Sequence, residues 1–472
     1  MHNTPHFLRI AICTTLLAMA VSNVFAQQIT TYQYEYDAIG NVTKITDPLL
    51  RVTNQEYDTL NRLTVQRQPL VNGVRPVIQY SYDGLGQLTA VSDPRTLVTQ
   101  YTLDGLGNQT ALLSPDTGAA NKTYDAAGNV LTSTDAKGQT TSYLYDVLNR
   151  LSRITYHDGG TVNYVYDAGQ YAKGRLSSIA DANGSIAYTY NQKGNVVAEA
   201  RLINGVAYSI TYTYESTGRL STVTYPSGRT LTYTYDAMGR IAGITSSKNG
   251  INQTLVSQIQ YQHFGGIKSY VNGANKTVLR SYDLDGRITA FTVGAATQAV
   301  SYDAASRIIG IAGPVAPATQ YAYDALDRLT QYTGAASSQA FGYDGVGNRT
   351  SQTVGENGYA SIIDSASNRL TQLNGPAVSN AYQYDANGSR VNDGARQYAY
   401  DARGRLISAA TNQGPWQYQI NPLGQRVQKS SAGETTHFHY DGNGRLIGES
   451  TAQGVFRKEY VYLNDIPVAL FR

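Results

Sequence analysis

The sequence contains few of the residues on which disulfide-stabilised proteins and most enzymes depend. It has 1 Cys and 1 Trp among 472 residues, and the single Cys13 lies in an apolar N-terminal stretch. Without a cysteine pair there is no disulfide, so hydrogen bonding and packing must hold the fold together. Charged residues are only 15% of the chain, the net charge is +3, and no Lys/Arg run forms the basic face of a nucleic-acid-binding protein. We therefore predict no nucleic-acid partner.

Long apolar runs are equally rare, and the one near the N-terminus is short. It covers residues 10–24 and follows Arg9, which is too short for an ordinary membrane-spanning helix. Val24-Phe25-Ala26 fits the small-residue rule for a cleavage site. We predict a signal peptide at residues 1–26 and an exported mature chain, periplasmic, secreted or on the cell surface, without a membrane span. An uncleaved anchor is the alternative.

Tyrosine is the residue that the chain has in excess, and it marks an internal repeat. There are 39 Tyr against 8 Phe. The pair Tyr-Asp occurs 14 times, and Asp104, Asp125, Asp146 and Asp167 follow one another at intervals of 21 residues. Variant pairs such as Tyr190-Asn191 keep the phase. The spacing predicts about 20 tandem units, and residues 27–472 are predicted to form one continuous repeat domain.

One unit, from Leu231 to Thr245, shows how the repeat should fold. Tyr233 and Tyr235 are two residues apart, so they lie on the same face of a strand. Asp236 can accept backbone N–H bonds and open a turn, and Gly239 can take the positive φ of a bulged hairpin. Two turns per unit leave about six residues for each strand. The pattern predicts an all-β chain of tandem β-hairpins that form a spiralling sheet, with no helical period.

The other units place the same residue types at the same positions. We predict structural turn roles for Asp37, Gly40, Asp83, Gly86, Asp125, Gly128, Asp236, Gly239, Asp344, Gly347, Asp401, Gly404, Asp441 and Gly444. We predict a ladder of stacked tyrosines formed by Tyr34, Tyr36, Tyr233, Tyr235, Tyr321, Tyr323, Tyr398 and Tyr400. Their hydroxyls are expected to face water. The Arg that follows the turn Gly, as in Arg240, is expected to pair with a turn Asp or to pack over a Tyr ring.

The pattern Tyr-x-Tyr-Asp-x-x-Gly-Arg-Leu resembles the RHS/YD-repeat family. It is found at 233–241, at 398–406 and at 438–446, where Phe438 replaces the first Tyr. The family includes bacterial RHS polymorphic toxins, the cocoon-forming components of insecticidal toxin complexes, and the shell of animal teneurins. The resemblance implies a spiralling β-sheet that closes into a hollow shell around a C-terminal effector. It also implies a core motif after the repeats that plugs the shell and is often the place of self-cleavage.

The sequence departs from that pattern at its C-terminal end. The segment from Tyr460 to Leu470 resembles the last repeat before the core, and the sequence given ends at Arg472. Its Asp-Pro pairs, at Asp47 and Asp93, lie in turns between repeats, so we do not transfer self-cleavage to them. A partial hollow shell, without core or toxin domain, is the resulting prediction.

A shell is physically reasonable for a sheet of this length. About 40 strands at roughly 4.8 Å spacing give a ribbon on the order of 190 Å long. Coiled once, the ribbon would form a ring on the order of 60 Å across, too wide for side chains to fill by comparison with small barrels. Water or a protein cargo would then occupy the interior. A tighter solenoid of facing repeats is the alternative geometry.

The sequence offers little that resembles a catalytic or metal site. His437 and His439 are two apart on a predicted strand, so they could supply two metal ligands. No third ligand is evident, and ordinary strand positions are the favoured interpretation. No Gly-x-Ser-x-Gly elbow occurs. We predict no catalytic residue, no metal and no cofactor, and a protein that is not an enzyme.

Three functional hypotheses remain open at this point. The leading one is an exported structural shell that encapsulates or presents a partner, either a protein cargo or a downstream core and toxin polypeptide. The second is a cell-surface protein whose tyrosine-lined face binds carbohydrate or a cell-wall polysaccharide, because aromatic rings stack on sugars. The third is a truncated remnant without independent activity.

Overall fold

The structure, a computed structural model, describes residues 31–263, 265–315, 317–335, 337–412 and 414–472. The predicted signal peptide at residues 1–26 lies outside these ranges. The described chain is a succession of short strands joined by tight turns, as expected from its Tyr, Thr, Val and Ile content. Within these ranges no helix has the length and apolarity of a membrane span.

The strands of the first half are β1 Gln33–Tyr36, β2 Val42–Thr46, β3 Val52–Tyr57, β4 Leu63–Arg67, β5 Val77–Tyr82, β6 Leu88–Ser92, β7 Val98–Leu103, β8 Gln109–Ser114, β9 Gly118–Tyr124, β10 Val130–Thr134, β11 Thr140–Tyr145, β12 Leu151–Thr155, β13 Thr161–Tyr166, β14 Leu176–Asp181, β15 Gly184–Tyr190, β16 Val196–Ile203, β17 Val206–Tyr214, β18 Leu220–Thr224, β19 Thr230–Tyr235, β20 Ile241–Lys248, β21 Ile251–Tyr261 and β22 Ile267–Asn272.

Those of the second half are β23 Thr277–Tyr282, β24 Ile288–Val293, β25 Ala296–Tyr302, β26 Ile308–Ala312, β27 Thr319–Tyr323, β28 Leu329–Thr333, β29 Ser338–Tyr343, β30 Arg349–Val354, β31 Asn357–Ile363, β32 Leu370–Gly375, β33 Val378–Ala381, β34 Gln383–Tyr384, β35 Arg390–Asn392, β36 Gln397–Tyr400, β37 Leu406–Thr411, β38 Gly414–Ile420, β39 Arg426–Ser431, β40 Glu434–Tyr440, β41 Leu446–Thr451, β42 Phe456–Leu463 and β43 Ile466–Phe471.

Consecutive strands pair antiparallel along the whole ribbon, which confirms the prediction of tandem hairpins. The pairing forms a 33-stranded ladder and a 10-stranded ladder. The two are separated only at Tyr382, whose backbone N–H still donates to the carbonyl of Thr371 at 2.9 Å. Among the described strands, β1 pairs only with β2 and β43 only with β42, so the sheet is open-ended rather than a closed barrel.

Each hairpin has two distinct faces and a bulge beside its Tyr-Asp turn. In the β19–β20 hairpin, Tyr233 pairs with Ile244 and Tyr235 with Ile241, and the register shifts between Thr234 and Tyr235. Strand alternation places both tyrosines on one face and threonine on the other, and the bulge, which leaves Ala242 of β20 unpaired, brings Ile241 and Ile244 onto the tyrosine-bearing face. We call the tyrosine-bearing side the ladder face.

The ribbon coils on itself more than once. Near its start, Arg51 Nη1 contacts Asp327 Oδ1 at 2.6 Å, 276 residues further along the chain. Near its end, Lys248 Nζ contacts Glu459 Oε2 at 2.9 Å, only 211 residues away. This confirms the predicted spiralling sheet, whose coils are narrower than the ring on the order of 60 Å across that a single turn would form. About 25 strands lie between Arg51 and Asp327, which corresponds to a coil on the order of 40 Å across. The shorter interval between Lys248 and Glu459 shows that the coil narrows along the chain. We call β1–β22 the first coil and β27–β43 the second coil.

The two coils meet along a seam of turns. The turns between repeats in the first coil contact the Tyr-Asp turns of the second coil. Arg95 Nη2 donates to the carbonyl of Asp364 at 2.6 Å, and Arg403 Nη2 pairs with Asp181 Oδ2 at 2.9 Å. Both residues of each pair are largely shielded from water. Hydrogen bonds from these arginine side chains to a backbone carbonyl and to a carboxylate thus fix the position of one coil relative to the other.

Strands β41–β43 pack on the ladder face of strands β17–β22. Leu231 and Ile244, on that face of the first coil, form one apolar core with Ile447, Val461 and Leu463 of β41 and β42. Two sheet layers pack there around a shared apolar core. Elsewhere few side chains are fully buried. The accessible surface of 27274 Å² far exceeds the roughly 17,000 Å² that size scaling gives for a compact protein of this length, as an open coil requires.

Candidate functional site

The Tyr-Asp turn is built by one carboxylate. Asp236 Oδ1 accepts the backbone N–H of Met238 and of Arg240, both at 2.9 Å, and Oδ2 accepts Arg240 Nε at 2.8 Å. Gly239 follows at φ +81°, a conformation that side chains disfavour. Hydrogen bonds from the Arg240 backbone and side chain lower the pKa of Asp236. The carboxylate therefore stays ionised and fixes the turn.

The same geometry holds at each of the turn positions that the sequence singled out. The Asp Oδ1 accepts backbone N–H groups two and four residues on at Asp37, Asp83, Asp125, Asp344, Asp401 and Asp441. Positive φ is found at Gly40, Gly86, Gly128, Gly347, Gly404 and Gly444.

In most units the second tyrosine of the repeat, which precedes the turn, is anchored to the preceding hairpin. Tyr235 donates its hydroxyl to the carbonyl of Leu220 at 2.6 Å, at the bulge of the hairpin before it. The expectation that these hydroxyls face water is wrong for this position, because the ring reaches back across the ladder face to a carbonyl that the bulge frees. The bond recurs at Tyr57, Tyr82, Tyr124, Tyr145, Tyr190, Tyr214, Tyr261, Tyr282, Tyr302, Tyr323, Tyr343, Tyr384, Tyr400, Tyr440 and Tyr462.

The remaining ladder residues differ in exposure and in contacts along the ribbon. Tyr34 and Tyr36 lie exposed in β1. Tyr233 is half-buried against the apolar core, and Tyr321 packs on Tyr332 with ring centres 5.8 Å apart. Tyr398 donates to Asp393 Oδ2 at 2.6 Å. The first tyrosine of the pair thus has an environment that varies from unit to unit, whereas the second, outside β1, keeps the bond to the preceding hairpin in most units.

The Arg after the turn connects neighbouring repeats. Arg328 Nε bonds to Asp324 Oδ2 of its own turn at 2.6 Å, and Nη1 bonds to the carbonyl of Asp344 in the next turn at 2.5 Å. Its guanidinium also lies 4.9 Å from the ring centre of Tyr343. Pairing with Asp and packing over Tyr, which the sequence left as alternatives, occur together.

A buried polar network joins the two layers near the end of the ribbon. Tyr208 of the first coil hydrogen-bonds to His437 Nδ1 at 2.9 Å, and His439 Nε2 bonds to Ser450 Oγ at 2.9 Å. Burial lowers the pKa of His439 to about 3. Both histidines are 1% exposed. They share a face, as predicted, and that face is covered by the first coil.

This network is structural in its geometry. The described residues contain no group of three potential ligands that could hold a metal ion. The Ser450–His439 pair is sealed between two sheets, so substrates have no access to it, and a histidine of such low pKa is a poor general base. Its neutral hydrogen bonds hold β40 and β41 against β17.

A cavity of about 390 Å³ lies beside this network, on the ladder face. Its walls include Tyr188 and Tyr212 of the first coil and Asp441 of the second. At its base Arg201 Nη2 pairs with Glu199 Oε2 at 2.6 Å. Tyr212 donates to Glu199 Oε1 at 2.9 Å, and burial raises the pKa of Tyr212. The cavity is therefore aromatic-walled with locally paired charges.

Sequence reasoning missed the Glu199–Arg201 pair, although a signal was present. In β16, Glu199 and Arg201 occupy alternate positions on the ladder face, where other units carry apolar or aromatic residues. Two opposite charges at that spacing on a buried face indicate an internal ion pair, since unpaired charges are rarely buried.

Comparisons with known proteins agree with this architecture. The RHS repeat family matches residues 36–70, 82–119, 124–161 and 208–250, and the teneurin YD-shell family matches residues 311–441. A search of curated proteins finds no match.

Solved structures show the same fold at low sequence identity. A TcdB2-TccC3-TEV crystal structure aligns with a TM-score of 0.72 and 15% identity, over 93% of this chain and 30% of that one. A Photorhabdus luminescens Tc holotoxin pore aligns with a TM-score of 0.67 and 14% identity, over 94% and 30%. TcdB2-TccC3 without its hypervariable C-terminal region aligns with a TM-score of 0.68 and 15% identity, over 94% and 30%.

The chain thus spans about a third of the length of the solved chains that it matches. Together the two family models match more than half of the chain, and the solved structures share its fold over 93–94% of it. The chain belongs to the RHS/YD-repeat family, of which it carries the repeat shell.

Proposed function

We propose that this chain is the wall of an exported shell whose ladder face encloses a polypeptide. The observation that carries the proposal is the packing of β40–β43 on the ladder face of β17–β22. Because the ribbon's own end occupies that face, the ladder face is the inner side of the coil. The open remainder of the coil is wide enough for a protein segment.

The chemistry of the ladder face supports a container rather than a tight binding site. Most of its Tyr-Asp tyrosines already donate their hydroxyls to backbone carbonyls, as Tyr282 does to Ile267 at 2.8 Å. Its charges are paired nearby, as Glu199 is with Arg201. A face with few free donors and little net charge retains a polypeptide without binding it strongly.

The resemblance to TcdB2-TccC3 and to a Tc holotoxin pore is consistent with a protein cargo of toxin type. We further propose that residues 1–26 direct export and that residues 27–472 are the mature shell in the periplasm, outside the cell or on its surface. We propose a structural role and no catalysis.

No observation favours the alternative of polysaccharide binding. Sugar stacking needs free aromatic faces, but guanidinium groups cover many of the tyrosines. Arg150 lies 4.3 Å from the ring centre of Tyr166, and Arg240 lies 4.5 Å from that of Tyr261.

Enclosure can be tested with two cysteines on one strand. Ser361 and Ile362 are adjacent in β31 and point to opposite faces, with Ser361 on the ladder face. The predicted mature chain has no cysteine of its own. We expect Ser361→Cys and Ile362→Cys to react equally with a small maleimide after unfolding. In the folded protein a maleimide attached to a large polymer should label Ser361→Cys at least tenfold more slowly. Equal rates would contradict an inner ladder face.

The ability of the shell to enclose a polypeptide is tested with a flexible, lysine-containing tag joined after Arg472. Phe471 packs against the guanidinium of Arg229 at 3.4 Å, so the tag starts at the overlap of the two coils. We expect trypsin to cleave it at least tenfold more slowly than the same tag placed before Gln27. Equal cleavage of the two tags would argue against enclosure of a polypeptide.

A further inference from the structure

The cavity of about 390 Å³ beside the buried histidines lies between the two coils. Its floor is the ladder face of β15–β19, and the turns that begin at Asn421 and Asp441 in the second coil form the opposite wall. Its volume lies in the range of small-molecule sites. Leu423, which lines it, is 45% exposed, so the cavity communicates with solvent. We call this space the ladder cavity.

Tyrosine rings form much of the ladder cavity, and several are free of the arginines that cover other rings on this face. Among the described residues, no guanidinium lies over Tyr188, Tyr212 or Tyr233. By contrast, Arg175 lies 5.7 Å from the ring centre of Tyr190, the other ladder tyrosine of β15. The cavity therefore offers aromatic faces on which a flat apolar surface can stack.

The charges of the ladder cavity cancel in pairs. Arg201 Nη2 pairs with Glu199 Oε2 at 2.6 Å, and Arg445 Nη2 pairs with Asp441 Oδ2 at 2.7 Å. These four are the charged residues of its lining. A charged ligand would lose its water without gaining an unpaired counter-charge, which is costly. The cavity therefore favours an uncharged ligand.

Several neutral polar groups of the lining are unpaired. The hydroxyls of Tyr188 and Tyr233 and the side-chain amide of Asn443 make no hydrogen bond to another described residue. The amide oxygen of Gln425 accepts Arg201 Nη1 at 3.1 Å, whereas its Nε2 has no acceptor among the described residues. A wholly apolar ligand would leave these groups without partners, at a cost in free energy. The ligand therefore needs hydroxyl groups as well as a flat apolar face.

We propose that the ladder cavity binds a short, uncharged saccharide. A sugar ring with equatorial hydroxyls presents an apolar C–H face to a tyrosine and hydroxyls around its perimeter. The unpaired groups belong to both coils, with Tyr188 and Tyr233 in the first and Gln425 and Asn443 in the second, so they require hydroxyls on more than one side. A nucleoside carries hydroxyls on its ribose alone.

The size of the ladder cavity limits the ligand to a short saccharide and excludes a polymer that runs along the coil. The outer ladder tyrosines, covered by guanidinium groups, do not extend the site. Because the cavity is closed by the chain's own two coils, the proposal does not depend on whether the shell encloses a polypeptide.

Binding is measured by isothermal titration calorimetry of the purified chain with two neutral disaccharides, cellobiose and diacetylchitobiose. We expect at least one of them to bind with a Kd of about 1 mM or below. Adenosine and glucuronic acid, which probe for a nucleoside and for a charged sugar, should bind at least about tenfold more weakly. No disaccharide binding at about 10 mM, or equal binding of either control probe, would overturn the proposal.

Hydroxyl deletions locate the bound sugar without removing a ring. Tyr188→Phe and Tyr233→Phe should each weaken disaccharide binding about fivefold and leave the thermal unfolding temperature unchanged, because neither hydroxyl bonds to the protein. Tyr164→Phe is the matched control. Tyr164 is the first tyrosine of its hairpin, packs on the same apolar cluster as Tyr188 and lies outside the cavity. Equal affinity in all three variants would place the sugar elsewhere and overturn the proposal.

Discussion

At the scale of the residue, three side chains fasten each repeat to the next. The Asp closes its own turn, the Arg reaches from that turn to the following one, and the Tyr reaches back to the preceding bulge. Arg328, for instance, contacts Asp324, Asp344 and Tyr343. The pattern recurs because each bond spans one hairpin interval. Its constant spacing makes the ribbon stiff even where no apolar core is present.

The tyrosine bond can be measured by removing one hydroxyl. Tyr261→Phe loses the bond to the carbonyl of Ile241 at 2.8 Å and leaves that carbonyl without this donor. We expect a loss of about 1 kcal/mol in unfolding free energy, measured by urea denaturation. Tyr36→Phe is the matched control, because Tyr36 has the same repeat position in β1, before which the structure describes no strand. An equal loss in both variants would contradict the proposed role.

At the scale of the element, the turns between repeats are less uniform than the Tyr-Asp turns. Thr96 ends the turn that begins at Asp93 and has φ +64°, whereas Gly138 has φ +74° at the same position of the turn that begins at Asp135. A β-branched residue is strained in this conformation. The first coil therefore stores backbone strain at a turn that supports the seam.

Exchanging the two residue types tests this strain. Thr96→Gly should raise the unfolding free energy by about 1 kcal/mol, and Gly138→Thr should lower it by about the same amount. A Cβ at Gly138 would meet no atom within 4 Å, so the loss would come from the backbone alone. Differential scanning calorimetry compares the two variants. Shifts of the same sign would contradict the argument.

The contact between the sheet layers should depend on pH through its buried histidines. Burial lowers the pKa of His439 from its ordinary 6.5 to about 3, so the unfolded chain binds a proton that the folded chain excludes. Stability is therefore full above pH 6.5 and falls as the pH drops towards 3. At pH 5 the loss should be about 2 kcal/mol relative to pH 7.5, seen as a lower thermal midpoint.

Two variants separate this effect from general acid sensitivity. His439→Phe should remove most of the change between pH 7.5 and pH 5. His157→Gln, in an exposed turn, should leave it unchanged. If both variants behave like the unmodified protein, the buried histidines do not control the pH dependence.

The repeat and the spiralling sheet could be predicted from sequence, whereas the contacts between the coils could not. Asp236 and Gly239 have a turn chemistry that depends only on neighbours within five residues, so their pattern indicates it. The hydroxyl of Tyr235 was expected to face water because its acceptor, the carbonyl of Leu220, belongs to the preceding hairpin. The packing around His439 depends on Tyr208, which lies in the other coil. No local pattern reports which distant strand will cover a given face.

At the scale of the whole molecule, the seam decides whether the ribbon is a coil or an extended strip. Arg95 alone contributes bonds to Ser367, Asn368 and Asp364 across it. Bonds from a charged donor are worth more than neutral ones. Outside the apolar core that β41–β43 share with the first coil, the seam therefore holds the coil at a few positions.

Removing one such donor should loosen the coil without unfolding the hairpins. Arg95→Ala should cost about 2–3 kcal/mol and speed hydrogen exchange in residues 364–369. Circular dichroism of the sheet should be unchanged. Arg67→Ala removes an exposed pair with Glu56 and should cost less than about 0.5 kcal/mol. Slow exchange retained at 364–369 in Arg95→Ala would show that the seam is held by other contacts.

Contacts within hairpins and contacts across the seam are expected to form at different stages of folding. Hairpin contacts close loops of a few residues, whereas seam contacts join residues 211 to 276 apart. Because closing a longer loop costs more entropy and long-range contacts form slowly, the hairpins assemble first and the coil closes last. Until the coil closes, the ladder face is exposed to solvent. On the proposed function, an enclosed polypeptide would therefore have to be in place before the seam forms, and the shell would assemble around it.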